Sequence, residues 1–153
     1  AMGLHYSFGD VLEGLELYGE NLFGIHSITY DQIAPAGDMC PFFRLFGVKR
    51  HDGVWLSWAD IVGLAQGIGV QIVPVVLPPG SYSERAVHHA IISGASSCSA
   101  LSRSASPEGF VVRVARAFRS DEFAKGTIAK YVRANHVQTG PTWRRTWRKA
   151  HLA

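Results

Sequence analysis

Pro41-Phe42-Phe43-Arg44-Leu45-Phe46-Gly47-Val48 runs on through Lys49-Arg50-His51-Asp52-Gly53 into Val54-Trp55-Leu56. The first segment, opened by Pro41, is apolar at successive positions, the pattern of a strand covered on both faces. His51-Asp52-Gly53 reads as a hairpin turn, and Val54 to Leu56 continues the sheet. Ser57 stands where a helix N-cap belongs, with Asp60 three residues on. Ile61, Leu64, Ala65 and Ile68 then recur at helical spacing and mark an inward face, ending at Gly69. Strand, turn, strand and covering helix within thirty residues set the class as α+β.

Working outward, Leu15 to Glu20 alternates as a strand does, and Phe23 to Tyr30 reads as another. Ile33 to Cys40 is a loop. Downstream, Val70 to Leu77 is β-branched and reads as a strand ended by Pro78-Pro79-Gly80, followed by a helix from Ser83 through Ile92. Residues 93–107 hold seven serines and read as a loop. Gly109 to Val114 and Thr127 to Val132 read as strands, and Thr142 to Leu152 as a basic helix within the Trp-containing stretch 141–153. The expectation is one domain over residues 1–153, a mostly antiparallel sheet with two flanking helices.

A chain of 153 residues carries one core. With 47% hydrophobic and 18% charged residues, intrinsic disorder is excluded. No apolar run reaches the roughly 20 residues of a membrane helix, and Ala1-Met2-Gly3-Leu4 lacks a basic leader. Cys40 and Cys98 make neither a disulfide framework nor a zinc site, and read as thiols of a reducing, intracellular compartment. The net charge of +3 conceals an asymmetry. Residues 1–100 carry four Lys/Arg against nine acids, and residues 101–153 carry eleven against three. A cationic final third fits either contact with polyphosphate or nucleic acid, or a solvated basic surface.

Four segments stand out: Tyr18-Gly19-Glu20-Asn21-Leu22-Phe23 with His26-Ser27-Ile28-Thr29-Tyr30-Asp31; Phe42-Phe43-Arg44-Leu45-Phe46; Glu108-Gly109-Phe110-Val111-Val112-Arg113; and Ala129-Lys130-Tyr131-Val132-Arg133 running on to Asn135-His136-Val137-Gln138. In order and spacing, from about Leu17 to about Trp143, the chain resembles the RNA ligases of the covalent nucleotidyltransferase superfamily, which also holds DNA ligases and mRNA-capping enzymes. The resemblance implies an adenylation domain of nucleotidyltransferase, ATP-grasp-like fold. It implies ATP and Mg²⁺ or Mn²⁺ as cofactors and RNA as partner, with AMP carried on a lysine, passed to an RNA 5′-phosphate and displaced by a 3′-hydroxyl in RNA repair.

By the same resemblance Glu20 matches the glutamate that binds the ribose hydroxyls, and Phe46 the ring that stacks on adenine, with Phe43 a second candidate. Glu108 matches the glutamate that helps hold the metal. Lys130 matches the lysine at the α-phosphate, the catalytic residue of this set, and Arg133 stands near where many relatives carry a second lysine. These residue types suit the task. A rigid carboxylate accepts from vicinal hydroxyls, an aromatic face gives a stacking platform, and phosphoryl transfer needs positioning and charge neutralisation. Each also has an ordinary reading: Glu20 a surface acid, the phenylalanines core, Glu108 a turn residue, Lys130 an edge residue or an anion contact. His26 and His136 line a site or serve structure.

The chain departs from the family in one respect that matters. The nucleophile is the lysine of a Lys-x-Asp-Gly upstream of the first segment, yet residues 1–19 hold no lysine and the first in the chain is Lys49. Lys49-Arg50-His51-Asp52-Gly53 has one residue too many, falls at a hairpin turn, and puts Arg50, which offers no free amine, in the nucleophile's frame. Gly47 replaces the aspartate that often follows the stacking ring. The expectation is an N-terminally truncated domain unable to self-adenylylate, its lysine motif supplied by a missing segment or a second chain, or else a non-catalytic nucleotide- or RNA-binding relative. At the basic end, Trp143 and Trp147 lie one helical turn apart. Arg144, Arg145, Trp147, Arg148 and Lys149 are the RNA-binding candidates, against the alternative that the tryptophans pack on the sheet.

Overall fold

A computed structural model describes residues 12–25, 30, 33, 40–95, 107–132 and 148–150. The elements in order are β1 (Leu15–Asn21), β2 (Gly24–Ile25), β3 (Phe43–Arg50), β4 (Val54–Trp55), α1 (Trp58–Gly67), α2 (Glu84–Ala95), β5 (Gly109–Arg113), β6 (Phe118–Arg119), a 3₁₀ turn (Ser120–Lys125), β7 (Ile128–Val132) and β8 (Arg148–Lys149). A four-stranded sheet runs β1-β3-β4-β6, and β2 with β8 and β5 with β7 form two-stranded sheets. All these pairings are antiparallel. The class is α+β, as expected.

The hairpin that decides the fold forms where its sequence predicts. Gly53 adopts φ +83°, open to glycine at no steric cost, and its amide donates to the Arg50 carbonyl. Asp52 Oδ1 accepts from the Val54 amide at 3.1 Å. Ser57 caps α1 by accepting from the Asp60 amide at 3.2 Å, a bond worth about 1 kcal/mol to a helix. Ile61, Ala65 and Ile68 then bury against Leu45, Val48 and Val70, with Leu15, Leu17 and Phe43 packed around them. A second, smaller cluster joins Leu22, Ile33 and Ala150, flanked by Tyr30 and Phe42.

Three expectations are corrected. Val70 to Leu77 is not a strand: Ile72 alone bridges, in parallel, to Leu45, through Leu45 N–Gln71 O and Val73 N–Leu45 O bonds of 2.8 and 3.0 Å. Pro74, Pro78 and Pro79 lack the amide donors that a ladder needs, and Val75, Val76 and Leu77 are exposed. Arg148 and Lys149 are not helical but extended, opposite Ile25 and Gly24, because Ala150 is anchored by its amide to the Phe23 carbonyl and buried in the second cluster. Lys49 lies within β3 rather than in the turn. Of the expected strand from Phe23 to Tyr30, Gly24–Ile25 is strand, and 26–29 lie outside the described residues. Of the two helices only α1 contributes to the described core clusters. No helix among the described residues is long and apolar enough to cross a membrane.

Candidate functional site

The four-stranded sheet has two unlike faces. Alternation sends Leu15, Leu17, Leu45 and Val48 toward α1 and Glu16, Tyr18, Glu20, Arg44 and Lys49 to the opposite side. Tyr18 pairs with Gly47 and Gly19 with Leu45, so Phe46 is the extra residue of a β-bulge. Bulges re-aim side chains, and Phe46 shares the face of Arg44 and Glu20 with 39% of its surface exposed. Glu20, exposed near the end of β1, lies opposite Arg44. Phe43 points the other way: its ring fills the space above Gly19, where any Cβ would overlap it and stand 2.8 Å from the Arg44 carbonyl. Phe43 is therefore a core side chain, and Phe46 is the ring with an open face.

Trp55 continues the same face. Its ring lies 4.6 Å from Tyr18 and 6.0 Å, nearly parallel, from Phe118, with Phe123 edge-on at 5.0 Å. Its indole N–H donates to Ser120 Oγ at 3.2 Å, and that hydroxyl donates to the Gly53 carbonyl. Lys49 stands beside Tyr18, its ammonium 2.8 Å from Glu16 and 3.2 Å from the Tyr18 hydroxyl. The bond with Glu16 raises the lysine's pKa and lowers the carboxylate's. An amine held protonated in this way is a poor nucleophile.

Glu108 and Lys130 belong to the β5–β7 hairpin. Glu108, half-buried, immediately precedes Gly109, which lets the two strands meet: a Cβ there would overlap the Tyr131 carbonyl. Lys130 is exposed in mid-strand opposite Val111. Val111 and Arg113 alternate onto that same face. Arg113 reaches the first sheet, donating to the Phe46 carbonyl from Nη1 and to the Leu56 carbonyl from Nη2, both at 3.0 Å.

Tyr30 joins the two carboxylates. Packed on the second cluster, its phenol is pushed up to about 12, by burial first and then by the negative charges of Glu108 and Glu20. Residues 88 positions apart thus lie close enough to act on one hydroxyl. Sequence reasoning quoted Tyr30 and Arg113 within motifs but assigned neither a role. Strand alternation was the one signal available, and it names no partner. Arg148 and Lys149 are exposed, with the Lys149 ammonium 5.5 Å from the Phe23 ring centroid. Arg133, Arg144, Arg145 and Trp147, like His26, His136 and Trp143, lie outside the described residues.

Among the described residues no group of three or more His, Cys, Asp or Glu side chains gathers as a metal cage. Mg²⁺ takes one or two carboxylates and completes its shell with phosphates and water. A single carboxylate such as Glu108, half-buried just before β5, would suffice for such an ion.

The four-stranded sheet thus carries Glu20 and Phe46, and the β5–β7 hairpin carries Lys130, with Glu108 just before it. The sequence model of the RNA ligase family matches residues 2–132, and the chain belongs to that family. Comparison with curated proteins and with solved structures returned no match.

Proposed function

We propose that this domain binds an adenine nucleotide between the four-stranded sheet and the β5–β7 hairpin, in the service of ATP-dependent RNA end joining. The observation that carries the reading is the bond from Arg113, at the end of the strand that follows Glu108, to the carbonyl of Phe46, whose ring lies on the same sheet face as Glu20. Glu20 accepts from the ribose hydroxyls, and the open face of Phe46 receives the adenine. Lys130, across the hairpin from Val111, neutralises the α-phosphate. Glu108 holds the divalent metal, which supplies charge neutralisation on the phosphates. Arg148 and Lys149, set beside β2 by their pairing with it, give an RNA phosphate a cationic approach; Arg133, Arg144, Arg145 and Trp147, outside the described residues, are the other RNA-binding candidates.

The lysine nucleophile is not among the described residues of the first sheet. Lys49 is engaged by Glu16 and Tyr18, so the chain binds nucleotide without capturing it covalently. Calorimetry with AMP, and with ATP and Mg²⁺, tests the reading. Phe46→Ala removes a stacking platform worth about 1–3 kcal/mol, so affinity falls roughly 5- to 150-fold. Glu20→Ala and Lys130→Ala also weaken binding. Unchanged affinity in all three would show that the inherited site is unused. Incubation with α-labelled ATP and Mg²⁺ or Mn²⁺ leaves no label on the denatured chain; a labelled band would restore the catalytic reading.

A further inference from the structure

The adenosine half of the proposed site, Glu20 and Phe46, sits on the four-stranded sheet, and the phosphate half, Glu108 and Lys130, on the β5–β7 hairpin. These sheets share no strand. Their relative position therefore depends on side chains and loop contacts between them. Arg113 makes one of these contacts. Its guanidinium spans the seam, donating to the carbonyls of Phe46 and Leu56 at 3.0 Å each, while Nε donates to the Val114 carbonyl at 3.3 Å. The cation lies 5.4 Å from the Phe118 ring centroid and 5.8 Å from that of Trp58. Two backbone bonds brace the same corner, Val114 N to Thr127 O within the hairpin and Trp58 N to Ala115 O onto α1.

The placement is specific. One guanidinium arm bonds the backbone of the bulge residue whose ring is the proposed adenine platform. The strand that ends at Arg113 begins directly after Glu108, and Val111, two residues earlier on the same face, faces Lys130. A strand rises about 3.3 Å per residue, so Lys130's partner is about 7 Å from the strut and Glu108 about 16 Å. Loss of the strut tilts the phosphate half while leaving the β1–β3 ladder intact. A lysine cannot replace it, because one ammonium does not present a planar fork to two carbonyls and stack on two rings.

We infer that Arg113 is a positioning residue that sets the spacing between the adenosine-binding and phosphate-binding halves of the site. The inference rests on the adenine-nucleotide reading above. The test is the affinity of the intact chain for adenosine and for AMP with Mg²⁺, in the wild type, Arg113→Lys and Arg113→Met, with near-ultraviolet circular dichroism reporting the fold. Adenosine affinity stays within about twofold, while AMP affinity falls roughly tenfold, the scale of one or two lost charge-assisted bonds. Equal losses for both ligands would mean general loosening and would overturn the inference, as would no loss for either. If Arg113→Met does not fold, Arg113→Lys decides. A wild type that binds neither ligand overturns the adenine reading and this inference with it; a wild type that binds AMP with an unchanged ratio in the variants overturns this inference alone.

Discussion

The ring of Trp55 lies over Gly47, so that a Cβ at that position would stand 3.0 Å from the indole and 3.5 Å from the Cβ of Tyr18. The resemblance to RNA ligases would lead one to expect an aspartate where this chain has Gly47. Here the space is filled by a tryptophan, itself stacked on Phe118. Gly47→Asp forces a carboxylate against the Trp55 ring and the Cβ of Tyr18 and destabilises the domain by about 1–3 kcal/mol. Denaturant unfolding of Gly47→Asp, Trp55→Ala and the double variant checks this. The pair couples, and the double variant costs less than the sum of the two; strict additivity would show that the ring is not what excludes the side chain.

Burial first, then the charges of Glu108 and Glu20, push the Tyr30 phenol up to about 12 from its ordinary 10.0. A raised phenol favours the neutral form, so its contribution to stability is full below pH 10 and is lost as pH rises through about 12. The tyrosinate absorbance of wild type minus Tyr30→Phe isolates the group. Burial is the largest cause and persists in carboxylate variants, so Glu108→Gln and Glu20→Gln each lower the value part of the way, Glu108→Gln the more. A value indifferent to both would separate the two acids from Tyr30 and from each other.

The Glu16–Lys49 pair makes a pH-dependent contribution with two limits. Glu16 is held below 4.5, so its share is full above that value and fades as pH falls through the lowered one. Lys49 is held above 10.5, so its share is full below that value and fades as pH rises through the raised one. The melting temperatures of wild type and Glu16→Gln differ between these limits and converge in acid. Added salt narrows the gap, because the pair is exposed. A gap that persists in acid would assign it to packing.

Gly109→Ala places a methyl group on the Tyr131 carbonyl, and the β5–β7 ladder must part at that end. Amide exchange at Gly109, Phe110 and Tyr131 accelerates while Leu45 and Val48, in the sheet beneath α1, stay protected. AMP affinity falls with it, since Glu108 and Lys130 are both carried on this hairpin. Slow exchange in the hairpin of the variant would refute the close approach.

Much was legible along the chain because it depends on neighbours in sequence. The Asp52-Gly53 turn, the Ser57 cap, the Ile61–Ala65–Ile68 stripe and the alternation of β1 are local patterns, and each appears in its expected place. Val70 to Leu77 misled because β-branched composition outweighed Pro74, which withholds a ladder amide in mid-segment. Arg148 and Lys149 misled because a helical spacing of tryptophans says nothing of a distant strand ready to pair.

Family membership and the identity of the candidate residues were fixed by amino-acid order alone, since side-chain chemistry and spacing are properties of the chain. What only tertiary structure decided is which face or hairpin carries each described one. The exposure of Phe46 and the packing of Phe43 turned on a bulge and on Gly19, and the tie made by Arg113 on two carbonyls 67 and 57 positions earlier. The reason is physical: hydrogen bonds, charge and excluded volume act through space over a few ångströms, and a sequence records no distance between residues that the fold alone brings together.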